Sequence, residues 1–174
     1  MNEEETLLYA EITLTAIRCR GSFINDMCHL EKLIDETISR HFSATNEKRG
    51  ELLEVVLGNE KITFYNKIIT LKILFEKHKP DIFINNTKMF KEILDLIELR
   101  NVLAHYMLDT TAEAFVKYKE GKIGFVKFKH NTETIWYSPQ DLINRIAEID
   151  VHVLAFRNFL STWNVLPFDS EKNH

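Results

Sequence analysis

Arg100, Asn101 and His105 are the side chains of this sequence whose types and spacing could do chemistry at neutral pH. They lie in the run Glu98-Leu99-Arg100-Asn101-Val102-Leu103-Ala104-His105-Tyr106-Met107. Imidazole takes up and gives back a proton near neutrality, whereas guanidinium stays charged and donates several hydrogen bonds to one oxyanion. That pairing suits RNA, whose own 2′-OH is the nucleophile on the adjacent phosphate, so the protein need only move protons and hold the phosphorus-centred oxyanion. The expected products are a 2′,3′-cyclic phosphate and a 5′-hydroxyl, with DNA spared. No carboxylate cluster accompanies these residues in the sequence, so the expectation is chemistry without a metal or cofactor. Asn101 would bind phosphate or hold the imidazole, and Tyr106 would stack on a base or pack.

The element that must position them runs from about Thr87 to Leu108. At roughly 100° per residue, Phe90, Ile93, Leu94, Leu96, Ile97, Leu103, Ala104, Met107 and Leu108 gather on one wide face, with Lys91, Glu92, Asp95 and Glu98 opposite. Arg100 and Asn101 fall inside the apolar arc, and His105 stands one turn beyond Asn101 at its edge. A guanidinium on a core-facing stripe costs several kcal/mol unless paired or kept wet, so the helix is expected to meet a polar pocket or a partner there.

An Arg, a polar residue, three further residues and a His on a helix late in an all-helical chain resemble the motif of the HEPN ribonucleases (higher eukaryotes and prokaryotes nucleotide-binding domains). The resemblance covers about Thr6 to Leu108 and a last helix near Pro139 to Trp163. It implies a mostly α fold, a bundle of four to five main helices, with Arg100, Asn101 and His105 as catalytic residues. It also implies a homodimer through the motif helix that brings two Arg and two His into one cleft, which answers the need for both a base and an acid. A toxin or defence role with an antitoxin partner comes with the same resemblance. In the toxin half of HEPN and nucleotidyltransferase pairs a Tyr usually stands two residues after the His; here that position is Met107, and Tyr106 is adjacent. The competing reading is a non-catalytic dimeric module that binds a nucleotide or a protein.

After Asp109 the period changes. Phe115-Val116-Lys117-Tyr118-Lys119 and Ile123-Gly124-Phe125-Val126-Lys127-Phe128 read as strands joined around Glu120-Gly121, and Thr134 to Tyr137 as a further short strand. This places a β-hairpin insertion at about 114–137, before the last helix. Five lysines against one glutamate between Lys117 and Lys129 make it the most basic stretch. Lys117, Lys119 and Lys127 are its candidate RNA contacts, set against the plainer role of blunting an edge strand.

The remaining pattern reads as helices over Thr6–Phe42, with Gly21 a place to kink, over Glu51–Leu57, and from Thr63 to Lys79, where Pro80 closes it. Ser138-Pro139-Gln140-Asp141 is a strong helix start. His29, Glu31 and Asp35 could look into a bundle interior, and Lys67 could reach a phosphate, although such residues more often sit on solvated faces. With 174 residues, 45% apolar, five Gly and three Pro, the chain is expected to fold as one domain with a loose tail at about 168–174. Cys19 and Cys28 stand too far apart on one helix to bridge, and suggest no metal site. The acidic start and the absence of an apolar run near about 18 residues point to a cytoplasmic protein without a membrane span. A net charge of −4 argues against a broad nucleic-acid coat, so any RNA contact must be local.

Overall fold

Long helices dominate because apolar residues recur at helical spacing and Gly and Pro are scarce. The computed structural model describes residues 3–127 and 132–163, and the tail expected at 168–174 lies outside them. The α-helices are α1 (Glu3–Phe42), α2 (Asn46–Glu51), α3 (Phe64–His78), α4 (Pro80–Asn85), α5 (Thr87–His105), α6 (Ala112–Lys119) and α7 (Pro139–Trp163). A π-helical turn, Leu52–Leu57, comes directly after α2. Among the described residues three short strands, β1 (Met107–Leu108), β2 (Ile123–Lys127) and β3 (Glu133–Tyr137), form one antiparallel sheet in the order β1-β2-β3. The mostly α class and a hairpin placed before the last helix are as expected from the sequence. No described helix is long and apolar enough to cross a membrane.

The helix starts are set by their caps. Thr63 caps α3 by accepting from the Asn66 amide at 3.3 Å. At α7 the Ser138 hydroxyl accepts from the Asp141 amide while the Asp141 carboxylate accepts from the Ser138 amide, both at 3.1 Å. Hydrogen bonding to the carboxylate from the Ser138 side chain, then from its amide, favours the ionised acid and holds the Asp141 carboxyl below its usual range.

The segment Phe115–Lys119, expected as a strand, is the C-terminal part of helix α6. Thr111 caps it, accepting from the Ala114 amide at 3.3 Å, and the buried pair Ala114 and Tyr118 lies one turn apart on its inner face. Glu120-Gly121 is the helix's C-terminal cap: the amides of Gly121 and Lys122 bond the carbonyls of Tyr118 and Lys117 at 2.9 and 3.0 Å, a Schellman arrangement. Gly121, at φ 72°, takes the left-handed position this requires. The hairpin is instead β2 with β3, registered Gly124 to Trp136. A Cβ at Gly124 would stand 2.6 Å from the Trp136 ring, so only glycine lets that indole lie over the strand.

Contacts gather into two compact units, Met1–Cys28 with Leu94–Ile149 and His29–Ile93 with Asp150–His174. The first centres on Phe23, Met27, Leu96, Leu103, Tyr118, Phe125 and Ile149. The second centres on Leu30, Ile34, Ile68, Leu71, Phe75, Phe90 and Phe156. In it Phe75 meets Phe90 and Phe159 edge-on at 5.9 and 5.6 Å between ring centroids.

α1 continues unbroken through Gly21 for 40 residues. A Cβ at Gly21 would meet nothing within 4 Å. Gly21→Ala is therefore expected to stabilise the chain by about 0.5–1 kcal/mol, read by urea denaturation, because alanine loses less backbone entropy in a helix.

Candidate functional site

The motif occupies the last two turns of α5, within the first unit. The buried side of these turns is Leu96, Ile97, Leu99 and Leu103, whereas Asn101, Ala104 and His105 are exposed. This corrects the expected apolar face: Asn101, Ala104 and Met107, placed on it, are exposed, and Leu99, left off it, is buried. Arg100 is half-buried, and at the surface its Nη1 donates to Asn101 Oδ1 at 3.3 Å. Because that bond is exposed, the guanidinium demands no partner chain for its burial. Among the described residues no carboxylate lies within ion-pair distance of Arg100, so its donors are open to an anion.

The residues just after His105 hold this helix end in place. The Tyr106 amide bonds the Val102 carbonyl at 2.9 Å, and Met107 and Leu108 pair as β1 with Val126 and Phe125. Arg20 of α1 reaches across, its Nη2 donating to the Tyr106 carbonyl at 2.7 Å while its guanidinium lies 5.1 Å over the Phe125 ring. Burial lowers the Arg20 pKa from its ordinary value. Just beyond, Asp109 is buried, its carboxylate accepting from the Thr111 amide at 2.9 Å and the Thr134 hydroxyl at 3.2 Å. The Tyr118 hydroxyl donates to the Asp109 carbonyl. Burial, then the neighbouring Tyr9 and Asp109, push the Tyr118 phenol up to about 12.

Of the other residues expected at the site, Tyr106 and Lys127 come together, with the ammonium 5.9 Å over the ring. Lys117 and Lys119 do not join them on a hairpin. They sit on α6, Lys117 paired with Glu120 at 3.0 Å and Lys119 with Glu5 at 3.5 Å and over the Phe115 ring at 5.2 Å. The expectation that all three lysines line one basic strand pair fails because the first strand is a helix. A cavity of about 420 Å³ lined by Tyr9, Thr110, Thr111 and Phe115 lies in the same unit, and none of the expected site residues lines it.

In the second unit Lys67 is 5% exposed and clamped between Glu31 at 2.7 Å and Asp35 at 2.8 Å. It is closed to a phosphate. Burial works to lower its pKa, but the hydrogen bonds it donates to Asp35 and Glu31 outweigh it and the pKa rises. Asp35 is raised because burial outweighs the pull of Lys67. His29 is exposed and takes no part.

Sequence reasoning missed Arg20 and Asp109. Arg20 carried a faint signal, a cation beside Cys19 and Phe23 on a helix otherwise apolar on that side; Asp109 carried none beyond opening a loop. Comparisons with protein families, curated proteins and solved structures give no match to this chain.

Proposed function

We propose that the chain is a metal-independent endoribonuclease of the HEPN type, with His105 moving the proton and Arg100 holding the phosphate while Asn101 orients one or the other. The observation that carries this reading is the state of the motif itself. Asn101 and His105 stand exposed on a helix end secured by Arg20 and β1, beside an arginine bonded to no carboxylate among the described residues. Such an arrangement lets a phosphate approach the guanidinium with little desolvation and keeps the backbone that carries the imidazole in place as it arrives. Tyr106 and Lys127 would receive an adjoining base and phosphate. One His per chain supplies a base or an acid but not both, so turnover draws on two chains.

The test is cleavage of an unstructured RNA by purified protein in excess EDTA, beside the all-DNA strand of the same sequence. The expected result is RNA cut to 2′,3′-cyclic phosphate ends and DNA untouched. Binding without cleavage would replace this reading with that of a non-catalytic nucleotide-binding module.

A further inference from the structure

α1 carries two apolar faces. Ile12, Ala16, Cys19, Phe23 and Met27 are buried in the chain's own core. On the far side Leu7, Ala10, Leu14, Ile17, Gly21, Ile24 and Cys28 repeat at alternating steps of three and four, the spacing of a coiled-coil seam. This second stripe is open: Leu7, Leu14 and Ile17 are 66%, 53% and 59% exposed, and only Ile24 is half covered. Single exposed aliphatic residues are ordinary, but a run in heptad register along one helix is not.

We infer that the Leu7–Cys28 face of α1 pairs antiparallel with the same face of a second copy of this chain. The flanking charges select both the occupant and the direction. Glu11 and Arg18, both exposed, occupy the same heptad position one repeat apart on one side of the stripe, and neither is ion-paired among the described residues. In an antiparallel pair that position faces itself, so Glu11 meets the partner's Arg18 and, by the two-fold symmetry, Arg18 meets the partner's Glu11. A parallel pair would set them against the partner's threonines. With the two-fold axis between Leu14 and Ile17, Leu7 packs on the partner's Ile24, Leu14 on the partner's Ile17, and Ala10 on the partner's Gly21. That small layer lets the helices approach closely. α1 is already helical in the chain, so pairing requires no new folding.

The seam also bears on the proposed nuclease. The open face of the motif turns is polar, with Glu98, Asn101 and His105, so α5 lacks the apolar centre that a dimer interface needs. Arg20, which holds the Tyr106 carbonyl, lies on the flank of the α1 seam opposite Glu11 and Arg18, about 7 Å along the helix from the two-fold axis. An antiparallel seam turns that flank of both chains to the same side, so it carries both motif ends there. This consequence rests on the nuclease reading, whereas the dimer does not.

Sedimentation equilibrium of the full chain across the micromolar range tests the seam, and RNA cleavage is read separately. The wild type is expected to dimerise. Leu14→Lys with Ile17→Lys, both at exposed positions, should weaken the dimer by more than about 30-fold with an unchanged thermal melt. Glu11→Arg should weaken it, and adding Arg18→Glu should restore it. Oxidation should leave Cys28 unlinked between chains, because the antiparallel register sets the two thiols roughly 37 Å apart along the helices. A monomer throughout, a dimer indifferent to the two lysines, or a Cys28–Cys28 crosslink would each overturn the proposal. A confirmed dimer that cuts no RNA would leave the seam standing and remove only the nuclease.

Discussion

His105→Ala is expected to lower the rate of RNA cleavage by roughly two to four orders of magnitude, the usual contribution of a positioned acid or base. The fold should not register the change. The His105 side chain is exposed, and the helix end is held by backbone bonds at Tyr106 and by Arg20, none of which uses the imidazole. Stability should stay within about 0.5 kcal/mol of wild type, read by urea denaturation. Arg100→Ala should be comparably inactive and equally stable, since its head already lies at the surface. Arg100→Lys should recover only part of the rate, because an ammonium keeps the charge but not the planar fork that grips two oxygens. With one histidine from each chain acting as base and acid, the pH profile of the wild type should be bell-shaped. Cleavage by His105→Ala at the wild-type rate would assign the activity to a contaminant or to another site.

How much of the fold and site was legible in the sequence depended on how local the deciding interaction was. Helix starts were legible: α3 opens at Thr63 and α7 at Ser138, whose side chains reach amides three residues on, with Asp141 reaching back to the Ser138 amide. α6 was misread for a related reason. Phe115, Val116 and Tyr118 favour strands, but the Thr111 cap, the buried Ala114–Tyr118 pair and the Gly121 terminus together set a helix. A glycine after a glutamate marks either a hairpin turn or a helix end, and only the tertiary burial of Tyr118 distinguishes them. On α5 the apolar period was visible, yet which residues at its margin are covered is decided by neighbours far away in the chain. Leu99 therefore went inward and Asn101 outward. The two apolar stripes of α1 are hard to separate in the sequence because a helical wheel merges them when each recurs every three or four residues. Arg20 escaped notice because its partner is a backbone carbonyl 86 positions distant, and a carbonyl leaves no trace in residue type.

Lys67→Met should destabilise the chain by about 3 kcal/mol at pH 7, the lower end for breaking a buried ion pair. The lysine is 5% exposed, and its ammonium is the cation that both Glu31 and Asp35 contact. The two acids sit one turn apart on α1, so methionine leaves like charges facing each other, and Asp35 Oδ1 already lacks a hydrogen-bond partner. Glu31 keeps 28% of its side-chain exposure and can turn partly to water, which is why the upper end of the range is not expected. The pH dependence identifies the cause. Burial already raises the Asp35 carboxyl and Lys67 is what pulls it down, so without the ammonium it should titrate higher still and the native state should bind its proton more tightly. The deficit is then largest at neutral pH and shrinks as pH falls through the folded carboxyl range. In the wild type the sign at Lys67 is the same: its folded pKa is also raised, so its contribution is complete below the unfolded lysine value and is lost as pH rises through the folded one. Urea denaturation at neutral and mildly acidic pH reads wild type and variant on one scale. A deficit that stayed constant between the two conditions would mean that lost packing of the lysine stem, and not the stranded carboxylates, is what destabilises the second unit.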